Sequence, residues 1–226
     1  MYKDLFSYEI VRRKRKSLGI AVERDGSLTV IAPLDLPEEE IRDWVYKKRD
    51  WIIKHQLNYE HRNNYSYKRQ FVNGEGFLYG GRSYKLQVVE EQNIPLRLFQ
   101  GHFCLRRDEL SFAQEHFKNF YRTKLSGKIG ARVEHFRLIL GVKINDVKVM
   151  DLQNRWGSCT KEGTILFHWK LMMAPMDIID YVVLHELTHI KHMNHSMEFW
   201  SVIETIMPDY RQRMKWLEEN GVKLSL

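Results

Sequence analysis

The chain has 226 residues, enough for one domain or two small ones, each with its own core. Its 43 % hydrophobic share suits a globular protein, no run approaches the roughly 18 apolar residues of a membrane span, and no apolar leader follows the opening MYKDLFSYEI. No membrane-spanning helix and a cytoplasmic location are expected; Cys104 and Cys159, the two cysteines, form no disulfide framework, and the net charge of +7 permits a polyanionic partner.

Residues 6 to 33 read as paired strands joined at the turn dipeptide Asp25-Gly26. Within them lies the sharpest basic cluster, Arg12, Arg13, Lys14, Arg15 and Lys16, a candidate contact for nucleic acid or nucleotide phosphates. The plain alternative is a solvated charged face, since strand alternation puts only half of these side chains on one side. Pro37 opens an amphipathic helix over about 37–56, with acids in its first turn and Ile41, Trp44, Val45, Lys48, Trp51 and Ile52 along one side. Asn58 to Gln70 is polar and tyrosine-rich and reads as a loop, and glycines 74, 76, 80 and 81 punctuate short strands up to about residue 106.

From Asp108 to Leu140 the spacing of Phe112, His116, Phe120 and Leu125 predicts a helix that Gly141 ends. Val142 to Leu152 alternates as a strand, and Thr164 to Leu171 predicts another, bounded by Gly163. Asp177 to Met193 has apolar residues at helical spacing behind Pro175, as a buried helix requires. The pattern is therefore α+β, with a β-rich region over 1–106 and a helical, catalytic domain over 107–226.

That last helix carries HELTHIKHMNH, residues 185–195. His185 and His189 stand four apart, so they project from one helix face and can share a metal ion, with Glu186 beside it. Two imidazoles and a third protein ligand that leave one position open form the zinc-hydrolase arrangement: the ion lowers the pKa of a coordinated water to about 7 and Glu186 takes its proton. The third ligand is open among His195, His192 and a carboxylate such as Glu198 or Glu204. On a continuous helix His195 has rotated about 240° from His189, so it reaches the ion only if the helix stops. Asn194 is the expected stop, in the left-handed conformation, with NHSMEF starting a new helix. His192 lies roughly 10 Å along the axis from His185, too far to join it.

Arg155-Trp156-Gly157-Ser158-Cys159, Trp169 and Leu171 leading to Ala174-Pro175, Ile179 to Val183, HELTH with NHS and Phe199-Trp200, and Pro208-Asp209-Tyr210 together resemble the YgjP-like metallopeptidase domain family, also known as domain of unknown function 45 and distantly similar to SprT-like proteases. The likeness extends to the basic strand near residue 12, Val30 to Pro33 and Asp50-Trp51-Ile52; His168 departs from it, standing where the family has Asn. The resemblance implies a zincin-like catalytic domain, its active-site helix packed on a small sheet, with one zinc per chain on His185, His189 and His195. By the same resemblance Thr164 to Leu171 is the exposed edge on which a peptide substrate pairs.

Transition-state charge needs a donor besides the metal, and Arg155, His168, Tyr181 and Tyr210 are the candidates. Three functions follow. Zinc-dependent peptide hydrolysis with Glu186 as general base comes first. Second is hydrolysis of a nucleoside triphosphate, since proteins resembling this chain are also named UTP pyrophosphatases, although imidazole ligands select zinc-like ions over Mg²⁺. Third is a nucleic-acid-associated SprT-like protease or binding protein using the basic surface.

Overall fold

The structure, a computed structural model, describes residues 6–22, 27–53, 69–152 and 155–226. Its contacts divide the chain into two compact units, Met1–Tyr67 and Lys68–Leu226. The boundary thus falls well before residue 106, because the strands between 76 and 106 share a core with the helices that follow and not with the N-terminal sheet.

In the first unit, β1 (Tyr8–Arg13) and β2 (Gly19–Val22) both pair with β3 (Leu28–Pro33), β1 in parallel and β2 antiparallel. The Asp25-Gly26 turn lies outside the described residues. Alternation along β3 turns Leu28, Val30 and Ala32 inward. They meet Ile41 and Val45, one turn apart on α1 (Glu38–Lys47), and Ile52. The helix starts after Pro37 with three acidic residues in its first turn, where they offset the positive end of the helix dipole. Trp51 is 44 % exposed, so it lies off the buried face expected of it. The basic cluster is not uniformly free either: the Arg12 guanidinium donates to the carbonyls of Pro33, Leu34 and Leu36 at 3.2, 3.0 and 2.8 Å, and Arg15 bonds Ser17, which leaves Arg13, Lys14 and Lys16 facing solvent.

The second unit has two sheets. β4 (Gly76–Tyr79), β5 (Arg82–Val89), β6 (Leu96–Phe99) and β7 (His102–Arg106) form one, in the order β4-β5-β7-β6. Its Phe77, Phe103 and Leu86 pack on α2 (Ala113–Leu140). The buried stripe of α2 is Ala113, Phe117, Tyr121, Leu125, Ile129, Val133, Phe136 and Leu140, a run at near four-residue spacing. The sequence pattern had pointed to Phe112, His116 and Phe120 instead; Phe112 is 63 % exposed, because Arg107–Phe112 forms a 3-10 turn that sets the helix phase one residue later. Gly141 ends α2 with a φ of 63°, a conformation that costs glycine nothing.

The other sheet, in the order β8-β10-β9, joins β8 (Asp146–Met150), β10 (Thr164–His168) and β9 (Gly157–Cys159). β10 is therefore the central strand, parallel to β8 and antiparallel to β9, and the free edge nearer the HELTH helix belongs to β9. The strand also stops at His168, where the chain enters a 3-10 turn, Trp169–Met173. That turn is tied to the β4-β5 hairpin: the N–H groups of Gly80 and Gly81 donate to the carbonyls of Met172 and Met173, each at 2.9 Å. Gly81 is packed so tightly on Pro175 that a Cβ there would lie 2.6 Å from the proline ring. The hairpin thus fixes the start of α3 (Met176–Thr188), whose core-facing residues include Ile178, Ile179, Val182, Val183, Leu184 and Leu187. Each buried aliphatic side chain of this kind contributes about 1.5–3 kcal/mol, so α3 is among the most firmly held elements of the unit.

Candidate metal centre

His185 occupies the last turn of α3 and His189 its C-terminal cap. The helix ends there, earlier than the expected stop at Asn194, and no left-handed residue is involved: the positive-φ non-glycine residues described are Phe71 and Gln100. Tight turn bonds replace it, with the N–H groups of Ile190 and Lys191 donating to Leu187 and Thr188 and that of His192 also to Thr188. The early stop has the consequence the spacing demanded, since it frees the chain to fold His195 back over α3. Ser196 then caps α4 (Met197–Ile206), its hydroxyl accepting from the Phe199 N–H.

One ligand nitrogen each of His185, His189 and His195 lies within 4.8 Å of the others. Nε2 of His195 is 3.0 Å from Nε2 of His185. His189 has a defined tautomer, because its Nδ1 lies 3.1 Å from the His192 carbonyl, which can only accept; Nε2 keeps its lone pair for the centre of the cluster. Burial, and then the neighbouring imidazoles, pull the pKa of His185 down to about 3, so it is neutral at physiological pH. The convergence of one nitrogen from each of three imidazoles makes a donor set that fits a zinc-like ion. His192 contributes only its carbonyl; Glu204 is paired with Arg211 at 2.8 Å and neither it nor Glu198 belongs to the cluster.

Glu186 faces the opposite way from a surface carboxylate: it is 7 % exposed, and its side chain lies against the backbone of β9. Burial raises its pKa to about 7, opposed by the Arg155 charge and by a hydrogen bond from the Cys159 backbone N–H. A carboxylate so poised exchanges a proton readily near neutrality. Arg132 on α2 braces the same helix through a two-point ion pair with Asp180, at 2.5 and 2.7 Å.

A cleft of about 500 Å³ opens over these residues, walled by Arg155, Trp156, Gly157, Ser158 and Cys159 on one side, by Tyr181, Val182, His185, Glu186 and His189 beneath, and by Met193, His195 and Leu217. The decisive observation outside the geometry is that the YgjP-like metallopeptidase domain model matches residues 16–220. The chain belongs to the YgjP-like metallopeptidase family. The crystal structure of the metallopeptidase zymogen abylysin of Pyrococcus abyssi is similar over 38 % of this chain and 87 % of its own, at 25 % identity and a TM-score of 0.36. No curated protein matches the chain. Family and cluster together mark this YgjP-like protein as a metal-dependent hydrolase of peptidase type. No helix among the described residues is long and apolar enough to cross a membrane.

Of the four transition-state candidates, the cleft gathers two. Arg155 is exposed and bonded only weakly, to Ser158 Oγ at 3.2 Å, while Tyr181 has its hydroxyl pKa pushed up to about 12 by burial and so stays a donor. His168 and Tyr210 do not line it. His168 is 1 % exposed behind Trp156, its Nδ1 accepting from the Lys170 N–H. Tyr210 is buried under Trp200. Sequence reading assigned no role to Gly157 or Ser158; the signal was a run of small residues, Gly157-Ser158-Cys159, next to a motif arginine, which marks a backbone that others approach closely.

Proposed function

We propose that this YgjP-like protein is a zinc-dependent metallopeptidase, with the ion held by His185, His189 and His195 and with Glu186 as its general base. The observation that carries the reading is the convergence of three imidazole nitrogens within 4.8 Å beside a buried carboxylate. Bound zinc supplies Lewis acidity, which polarises a carbonyl and makes water acidic enough to lose a proton at neutral pH. Glu186 accepts the proton of the water that attacks the scissile carbonyl and returns it to the amine as the C–N bond breaks. The Tyr181 hydroxyl and the Arg155 guanidinium are the donors within the cleft that can face the oxyanion.

Strand β9 is suited to hold the substrate. His168 N–H donates to the Trp156 carbonyl and Thr160 N–H to the Thr164 carbonyl, both at 2.9 Å. In an antiparallel ladder the bonded pairs alternate, so Trp156, Ser158 and Thr160 turn their backbone groups toward β10, and Gly157 and Cys159 turn theirs toward the free edge. The Cys159 N–H is spent on Glu186, consistent with that direction. An extended peptide adding to this edge uses the Gly157 N–H and carbonyl and the Cys159 carbonyl, which places its backbone along the wall of the cleft.

Arg155 favours a second reading, because among the described residues its hydrogen bond is to the Ser158 hydroxyl and not to a carboxylate, and an exposed guanidinium also suits a phosphate. Hydrolysis of UTP to UMP and pyrophosphate at the same site follows from it. A nucleic-acid partner would engage Arg13, Lys14 and Lys16 of the first unit, which are exposed. The test is metal analysis of purified protein together with cleavage of an unfolded protein and pyrophosphate release from UTP, for wild type and Glu186→Gln. One zinc per chain with Glu186-dependent proteolysis supports the peptidase; Glu186-dependent pyrophosphate release replaces it with the nucleotide reading; absence of zinc removes both.

A further inference from the structure

We infer that Trp200 is the positioning residue of the third imidazole: its indole, backed by the ring of Tyr210, is the seat on which His195 is held facing His185 and His189. This rests on reading the three histidines as a metal site.

The three imidazoles are held in unequal ways. His185 and His189 are fixed by α3, and His189 further by its bond to the His192 carbonyl. His195 stands outside any helix and is exposed, in the turn between α3 and α4. A histidine that binds a metal ordinarily donates its outer N–H to a carboxylate or carbonyl, which fixes the ring. Among the described residues, the hydrogen-bond contact of the His195 ring is with His185 alone. His185 Nδ1 likewise has no partner among the described residues, but His185 is carried by the helix; His195 is not, and an aromatic surface lies against its ring.

The His195 ring stacks on Trp200, with centroids 5.5 Å apart and planes at 23°. Trp200 in turn stacks on Tyr210 at 5.4 Å and 18°, and Tyr210 is 4 % exposed. Phe199, fully buried, meets His195 edge-on at 4.8 Å and 77°. The three-ring stack therefore runs from the protein interior outward to the ligand. Trp200 is also placed by the first turn of α4, its N–H donating to the Ser196 carbonyl at 3.2 Å. Stacked rings of this kind hold plane and distance while leaving the imidazole edge free, which suits a ligand that must present one nitrogen.

The test measures zinc affinity of the full chain by competition with a chromophoric chelator, for wild type, Trp200→Phe, Trp200→Leu, Tyr210→Leu, His195→Ala and the Trp200→Leu/His195→Ala pair, each checked for a native far-UV spectrum. Loss of support around a metal ligand weakens binding about 10-fold to 100-fold, and that is expected for Trp200→Leu, with Trp200→Phe nearer wild type and Tyr210→Leu in between. The double variant should bind about as weakly as His195→Ala, because the stacked face of Trp200 meets His195 and only its edge approaches His185, at 6.0 Å. Wild-type affinity in Trp200→Leu, or a further loss in the double variant, overturns the positioning role. If Trp200→Leu fails to fold, Trp200→Phe and Tyr210→Leu decide: wild-type affinity in both overturns the seat. An unchanged affinity in His195→Ala, or no zinc binding by wild type, is instead the failure of the three-histidine site itself.

Discussion

Gly157 and Glu186 are packed so closely that a Cβ on the glycine would lie 2.6 Å from Cγ and 2.7 Å from Oε1 of the glutamate. The contact brings the Glu186 carboxylate, the proposed general base, against β9 and within reach of the Cys159 N–H. Gly157→Ala must therefore push Glu186 off its position, because the three atoms nearest the added Cβ all belong to Glu186. Displacement of a catalytic group by about 1 Å can cost 100-fold, so turnover by Gly157→Ala should fall by about that factor with zinc content unchanged. Loss of zinc along with activity would show that β9 supports the metal site and not the base.

The burial of Glu186 has a pH signature in the metal-free protein. Its pKa is about 7 folded against 4.5 as an ordinary carboxyl, so its contribution to stability is complete below pH 4.5 and is lost as pH rises through 7. The charged form then costs on the order of 3 kcal/mol at pH 8. Glu186→Gln lacks this charge. Measured as denaturant midpoints of chelator-treated protein, the stability of Glu186→Gln relative to wild type should increase steadily from pH 5 to 8; a constant difference would mean that the carboxylate is solvated.

Much of this site was legible in the chain. HELTH fixes its own geometry, since spacing on a helix decides which side chains share a face, and the structure brings His185, Glu186 and His189 together as that spacing requires. The stop after His189 was only half legible: the need for it follows from His195, but the turn is built from backbone bonds among residues 187–192 that no residue type announces. Strand order leaves still less trace: the edge role that the resemblance implied for Thr164 to Leu171 falls to β9, and β10 is central. The unit boundary was misplaced for a related reason, because short glycine-punctuated strands do not reveal which core they enter.

Zinc should stabilise the larger unit by an amount that grows with the logarithm of free zinc above its Kd. A ligand that binds only the folded state at 100 times its Kd adds about 2.7 kcal/mol. For a domain of this size that is a thermal midpoint shift of roughly 5 to 10 °C. The shift should vanish in His185→Ala and His189→Ala, and a response that persists in both would locate the binding elsewhere.

Pairing of substrate with β9 makes a prediction about the substrate backbone. A peptide carrying an N-methyl group where it donates to the Gly157 or Cys159 carbonyl loses one hydrogen bond, worth about 0.5–1.5 kcal/mol net. KM should rise about 2-fold to 12-fold at that position and not at its neighbours, giving an alternating profile along a scanned peptide. A flat profile would separate substrate from the strand edge.

The Arg132 and Asp180 pair gives a stability test independent of the chemistry. Asp180 has a side chain only 14 % exposed and receives both bonds from one guanidinium, so Arg132→Met leaves a largely buried carboxylate without its partner. Because Arg132 is itself one-third exposed, water can reach the site and the loss is moderated to about 2 kcal/mol by denaturant unfolding. Asp180→Asn, which keeps an acceptor for the guanidinium, should lose less. The pair joins α2 to the helix that carries His185 and Glu186, yet neither residue lines the cleft. Zinc affinity at a temperature where Arg132→Met is folded should therefore match wild type, and a large drop would mean that α2 positions the metal ligands through Asp180.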